Sequence, residues 1–491
     1  MAAVGSDATR AGLNRDIAAP TGSYARGMSD SPRTGLPPGP RLPALVQAAL
    51  MARYWPRFIS ACRRRYGRVF TMRIATMGTL VYLDDPGEIK KVFAGSPAVY
   101  HAGEANKMLG GLLGDSSVLV IDDDAHRERR RQMLPPFHRD AVARQAAVMA
   151  EIAADNIATW PVDTEFPVAP KMSELTLEVI LRTVIGASDP ARLAALRAVM
   201  PKLLNVTPWA SLALANPALQ RFGPWRGLHR RIAEANRLLY AEIADRRRDP
   251  DLATRTDALA MLVRAGGEDG QDGTPMTDRE LRDQLMTLLV AGHDTTATAL
   301  SWALERLTRH PAILAKAVRA AEASAAGDPE GDEYLDAVAK ETLRIRPVVF
   351  DVGRILTEPV ELAGYHLPAG IMVAPGIGLV HSSPGQYPDP DRFDPDRMVG
   401  TTPGPTTWFP FGGGNRRCLG ATFAMAEMRI VLREVLRRVA LCTTTAAGER
   451  QKVKHVILVP HRGARIRVRA VKDVPSAAAA GAGASSCMHR S

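Results

Sequence analysis

Phe409-Pro410-Phe411-Gly412-Gly413-Gly414-Asn415-Arg416-Arg417-Cys418-Leu419-Gly420 is the most informative run in this chain. Three successive glycines let a backbone approach something large and flat without side-chain collision. Cys418 stands just ahead of an amphipathic pattern that predicts a helix from about Leu419 to Ala440. At a helix start, unpaired backbone N–H groups and the positive end of the dipole favour a thiolate. A thiolate is a soft, electron-rich ligand that suits iron. Taken alone, a glycine loop with one cysteine is more often a structural turn. The other cysteines, Cys62, Cys442 and Cys487, are far apart and form no C-x-x-C spacing, so neither a zinc site nor a disulfide framework is expected. That usage fits a reducing cytoplasm.

Upstream, the clearest helix is predicted from Thr277 to His310, opened by the capping box Thr277-x-x-Glu280 and followed by Pro311. At ~1.5 Å per residue it is roughly 50 Å long and apolar enough to cross the middle of a domain. Half-way along lies Ala291-Gly292-His293-Asp294-Thr295-Thr296. Glycine and β-branched threonines cost helix propensity there, and a buried aspartate costs more. Threonine hydroxyls can bond back to the preceding turn and open a local bulge. The residues alone are read as a hydrogen-bonded kink or as a proton path.

Two further motifs are weaker. Glu341-x-x-Arg344 places opposite charges on one helix face, but Glu128/Arg131, Glu234/Arg237 and Glu434/Arg437 share the spacing. His126-x-x-x-Arg130-Arg131 sets His126 and Arg130 one turn apart, within what is otherwise readable as a solvated basic face.

The spacing of Phe411, Gly414, Arg416, Cys418 and Gly420 resembles the haem-binding signature of the cytochrome P450 superfamily. With it, the chain is identified as a member from about Leu36 to Arg469, of the soluble bacterial, actinobacterial or mycobacterial kind. The resemblance implies a single large domain, mainly α with a small β portion (α+β), crossed by a long central helix. It implies haem b (iron protoporphyrin IX) held by Cys418, with Ala291, Gly292, Phe411 and Gly420 lining it and His126, Arg130, Arg354 and Arg416 on its propionates, whose carboxylates arginine matches well. Asp294 and Thr295 match the oxygen-activation motif and would relay protons, with Gly292 leaving room for dioxygen. His293 is expected to face away. Glu341, Arg344 and Arg392, the last within Pro390-Asp391-Arg392-Phe393, would form a buried ion-pair network. The family motif more commonly has glutamate where Asp391 stands.

The implied activity is that of a monooxygenase inserting one oxygen atom of dioxygen into a hydrophobic substrate, with NAD(P)H electrons delivered by a ferredoxin reductase and a ferredoxin. Arg127, Arg129 and Arg131 are candidates for docking an acidic donor. A non-oxygenating haem-thiolate enzyme (isomerase or peroxygenase) and a haem ligand-binding or sensor protein are the alternatives. The pocket is expected around His101–Ser117, Pro201–Gly227, Ala291 and Val348–Phe350.

Composition agrees. The 491 residues are 46% hydrophobic and 23% charged, ordinary for a globular body. The net charge of +11 is compatible with anionic lipid or an acidic protein partner, and no nucleic-acid motif accompanies it. No run is apolar enough to span a membrane. The chain divides into a disordered tail (1–35), the haem domain (36–470) and a second disordered tail (471–491), and is expected to be a cytoplasmic monomer.

Overall fold

The computed structural model describes residues 35–75, 77–187, 189–204, 223–265 and 274–472. Both tails, and the core of the Pro201–Gly227 segment, therefore lie almost wholly outside the described residues. The helices of seven residues or more are α1 (Ala44–Tyr66), α2 (Pro86–Ala94), α3 (Asp123–Met133), α4 (Ala146–Ala158), α5 (Ala169–Ile180), α6 (Pro190–Leu204), α7 (Arg226–Arg247), α8 (Ala258–Arg264), α9 (Asp278–Arg309), α10 (Pro311–Ala325), α11 (Pro329–Ile345) and α12 (Ala421–Arg438). The main sheet joins β1 (Val69–Ile74), β2 (Gly78–Leu83), β3 (Tyr100–His101), β4 (Arg354–Leu356) and β5 (Met372–Pro375) in the order β1-β2-β5-β4-β3. Only the β2–β5 pair is parallel. A hairpin, β6 (Gln451–Lys454) with β7 (Ile457–Pro460), lies near the C-terminus.

The expected central helix is α9, 32 residues long, and Thr277 and Glu280 form both halves of its capping box. Pro311 does more than end it. Its fixed φ and missing N–H suit the first position of a helix, and it opens α10. From Thr296 to Thr308 every residue of α9 is buried, so its polar groups must find partners inside the protein. Thr296, Thr298 and Ser301 bond back to the carbonyls of Gly292, Asp294 and Ala297. Trp302 donates its indole N–H to the carbonyl of Leu458 at 3.0 Å, fastening the hairpin to the helix. Glu305 holds Arg306 and Arg309 and accepts the backbone N–H of Glu449.

The ion-pair network behind the sheet corrects one expectation. Arg344 donates to both oxygens of Glu341 at 2.7 and 2.8 Å, and both side chains are fully buried. The third member is Arg397, whose Nε lies 3.3 Å from Glu341. Arg392 turns its side chain outward, 69% exposed, with only a 3.9 Å approach to Asp394. It contributes its backbone carbonyl to Arg344 instead, at 3.2 Å. The motif delivers a carbonyl, and the short 3-10 turn Pro395–Met398 delivers the cation. Removing one partner of a buried charge pair costs far more than removing an exposed charge. Arg397→Gln should therefore lower the unfolding free energy by about 2 kcal/mol, whereas Arg392→Gln should stay within about 0.5 kcal/mol of wild type. Denaturant melts of the two variants decide between the arginines.

Candidate active site

The cysteine loop is held by its neighbours on the sheet side. A Cβ on Gly413 would stand 2.2 Å from the Phe93 ring, and one on Gly414, at φ +67°, 2.2 Å from the Phe93 carbonyl oxygen. These glycines are thus needed for packing onto the end of α2. The loop closes when the Cys418 N–H donates to the carbonyl of Phe411 at 2.9 Å. Phe411 itself is half-buried, edge-on to Trp408. Gly420 caps α12.

Cys418 lies deep within the protein, yet its side chain is open to solvent-sized space. Together these place its sulfur on the wall of an interior cleft. Burial pushes the thiol up, while a hydrogen bond from the Gly420 backbone and the charges of Arg130 and Arg417 pull the other way. Those groups favour the thiolate wherever a cation also stands against the sulfur.

Beside the cysteine, α3, β4 and the loop bring four predicted residues together. His126 is buried, and desolvation with the charges of Arg416, Arg130 and Arg354 lowers its pKa to about 4. Arg354, 5% exposed, bonds only the carbonyls of Gly353 and Gly413. Desolvation and Arg416 bring it down to about 10. Arg130 is half-buried and makes no hydrogen bond or ion pair with the described residues. Arg416 alone has a carboxylate, Asp122, and also donates to the Ile121 carbonyl at 2.7 Å. Three arginines and a histidine against one aspartate form a pocket for a multiply charged anion. Two carboxylates on one planar group fit it, as does a soft metal facing Cys418.

On α9, Ala291 is exposed and Gly292, Asp294 and Thr295 partly so, within a helix otherwise nearly enclosed at this depth. The Thr295 hydroxyl donates to the Ala291 carbonyl at 2.7 Å. His293 faces α5, with Nε2 2.9 Å from the Ser173 hydroxyl, and burial lowers it to about 4. A Cβ on Gly292 would meet Ile180 at 2.7 Å. Its smallness therefore lets α9 and α5 close up at Ile180.

Sequence reasoning missed two residues. Lys454, at the end of β6, pairs with Asp294 at 2.8 Å. Glu427 on α12 is fully buried, neither of its oxygens has a hydrogen-bond partner, and burial raises its pKa well above the carboxylate range, with Thr296 as its polar neighbour. Lys454 gave no local signal, since the pairing spans 160 residues. Glu427 sits in the amphipathic pattern of α12 at a core position, and a charged residue at such a position is a readable anomaly. The pocket expectation is also trimmed: Phe350 packs behind the sheet against Trp55, away from α9. Arg129 is tied to Glu280 and Arg127 to Asp124.

A cysteine sulfur on an interior cleft, beside a cluster built for two carboxylates and in a mainly helical body, defines the class of haem-thiolate proteins. A family model described as cytochrome P450 matches residues 36–467, and the chain belongs to that family. It is 73% identical over 460 residues to the Mycobacterium tuberculosis protein described as "Putative cytochrome P450 135B1", covering 94% of this chain and 97% of that one. It is 40% identical over 446 residues to "Putative cytochrome P450 135A1" of the same species, covering 90% and 97%. Among solved structures, retinoic acid-bound cyanobacterial CYP120A1 superposes with a TM-score of 0.76 at 24% identity, over 89% of this chain and 99% of that one. The cytochrome P450DA heme domain gives 0.74 at 24%, over 90% and 99%. The family's cofactor is haem iron, and its members are oxygen-using oxidoreductases that take electrons from redox partners.

His126 provides a test of the cation cluster. A histidine whose folded pKa is lowered contributes stability above its unfolded pKa, near 6.5, that is lost as pH falls through about 4. The loss is at most about 3 kcal/mol. His293 and His381 titrate in the same sense, so His126 is read by difference. Melting temperatures of His126→Gln should fall less steeply than those of wild type between neutral pH and pH 4. Parallel curves would remove His126 from the cluster.

Proposed function

We propose that this chain is a monooxygenase that places one oxygen atom of dioxygen into a hydrophobic organic substrate. The observation that carries the reading is the acid–hydroxyl pair Asp294 and Thr295, left partly exposed at the centre of an otherwise nearly enclosed α9. Cys418 would hold the haem iron, and His126, Arg130, Arg354 and Arg416 its propionates. When bound, the thiolate-ligated haem supplies reductive activation of dioxygen.

The protein's own residues supply protons and enclosure. Thr295 carries a hydroxyl whose proton rests on the Ala291 carbonyl and can be redirected toward the cleft. Asp294 is held by Lys454, so the acid is fixed on the hairpin side until that pair opens. The wall of the cleft is rigid. Asp283 accepts from the Ser116 N–H and hydroxyl, Gln284 accepts from the Val118 N–H and donates to the Ser116 carbonyl, and Ser117 bonds Thr287 at 2.7 Å. This stitching fixes the segment ahead of α3 onto α9. Half-buried Leu109, Leu119, Leu288, Val290 and Val349 add apolar surface, which suits a hydrophobic substrate.

Electrons would come from a separate ferredoxin and its NAD(P)H-dependent reductase. Of the basic residues of α3, Arg127 and Arg131 are exposed, and Arg417 of the cysteine loop is exposed as well. Free cysteines at positions 62, 418 and 442 suit a cytoplasmic location. No helix among the described residues is long and apolar enough to cross a membrane.

Two variants test the reading. Cys418→Ser should abolish the thiolate-type carbon monoxide spectrum; a variant that kept the wild-type spectrum would remove Cys418 as the ligand. Thr295→Ala should divert reducing equivalents, raising hydrogen peroxide released per NAD(P)H consumed by about ten-fold, a partial loss of the roughly 10²–10⁴-fold that a positioned proton-transfer group contributes. Unchanged peroxide yield would end its proposed role.

A further inference from the structure

Between Ser31 and Leu83 the chain has nine arginines and not one aspartate or glutamate. Eight of those arginines lie among the described residues. Arg63 and Arg68 are bound by Asp84, outside the stretch. Arg41, Arg53, Arg57, Arg64, Arg65 and Arg73 are exposed and have no carboxylate partner among the described residues.

The same surface carries exposed aliphatic side chains. Leu42, Leu45 and Val46 are 44%, 76% and 43% exposed, at the lead-in and first turn of α1. Leu45, Ala49 and Arg53 follow at four-residue spacing, which places them on one helix face. All three are exposed, while the opposite face buries Gln47, Met51, Ile59 and Cys62. α1 bends at Tyr54, two residues ahead of Pro56, and Tyr54 is itself 45% exposed with Arg53 over its ring.

The β1–β2 turn joins this surface. Gln47 donates to the carbonyls of Pro40 and Leu42 and accepts the N–H of Arg73, while the Thr71 N–H bonds the Pro38 carbonyl. These bonds stitch the lead-in, the first turns of α1 and the far end of β1 into one unit. Met77, 41% exposed, stands on the turn just beyond.

We infer that this unit is a peripheral docking surface for an anionic lipid bilayer. Aliphatic side chains on an exposed helix face, flanked by uncompensated arginines, are the pattern of a helix that lies in the headgroup plane. Arginine charge alone would serve an acidic protein equally well. The exposed Leu42, Leu45 and Val46 favour the bilayer, because they gain a hydrocarbon environment there and need no shape-matched pocket. The surface is far in sequence from Cys418, and the inference does not depend on the monooxygenase reading.

The test is co-sedimentation of the full-length holoprotein with vesicles of equal parts phosphatidylglycerol and phosphatidylcholine, against vesicles of phosphatidylcholine alone. Binding should occur to the anionic vesicles, weaken as sodium chloride is raised, and be absent with the neutral ones. Arg53→Gln with Arg57→Gln should weaken binding about twenty-five-fold, at about five-fold for each arginine near the surface. Leu45→Glu with Val46→Glu should abolish it. These side chains are exposed, so an unchanged haem spectrum and melting temperature confirm that the variants are folded. Three results would overturn the inference: no binding to anionic vesicles, equal binding to neutral ones, or wild-type binding by both double variants. Vesicle failure combined with salt-sensitive binding of an acidic protein, lost in the arginine variant, would reassign the surface to a protein partner.

Discussion

Running a 32-residue helix through the middle of a domain is the constraint on which the other features depend. The buried stretches of this helix cannot use water to satisfy polar side chains, so those side chains turn to the helix's own carbonyls or to other elements. The answers position the site. Asp283, Gln284 and Thr287 capture residues 116–118, fixing the segment that leads into α3 and its His126 and Arg130. Trp302 captures the β6–β7 hairpin through the Leu458 carbonyl, which brings Lys454 to Asp294. The functional arrangement is thus largely a consequence of how the helix disposes of its buried polar groups.

What was legible in the sequence was what is local. The capping box at Thr277, the β1–β2 pair with its glycine turn, and the order of the motifs around Cys418 all depend on residues a few positions apart. Partnerships across long separations were legible only as residue types. The Pro390–Phe393 run announced that a partner for Glu341 lay nearby, but an exposed Arg392 and a half-buried Arg397 read alike in one dimension. The glycines show the same limit. Gly292, Gly413 and Gly414 were read as space for a ligand, because a missing side chain does not say which neighbour needs the room. Ile180 and Phe93, distant in sequence, stand against these glycines in the fold.

The cation cluster shows a site maintained against the stability of the protein that contains it. Burial lowers the proton affinity of His126, Arg130, Arg354 and Arg416, neighbouring arginine charges lower it further, and a single carboxylate, Asp122, partly offsets this for His126, Arg354 and Arg416. Asp122 is itself shared, accepting the backbone N–H groups of Gly103 and Glu104. Assembling like charges at low solvent exposure disfavours the compact state unless an anion joins them. Folding alone gives no reason to collect these residues, while Arg354 could be replaced by an apolar side chain of similar volume without unpairing any carboxylate. A ligand that binds the folded state alone stabilises it by mass action. An anion bound by the folded cluster would therefore raise the stability of the fold that holds it.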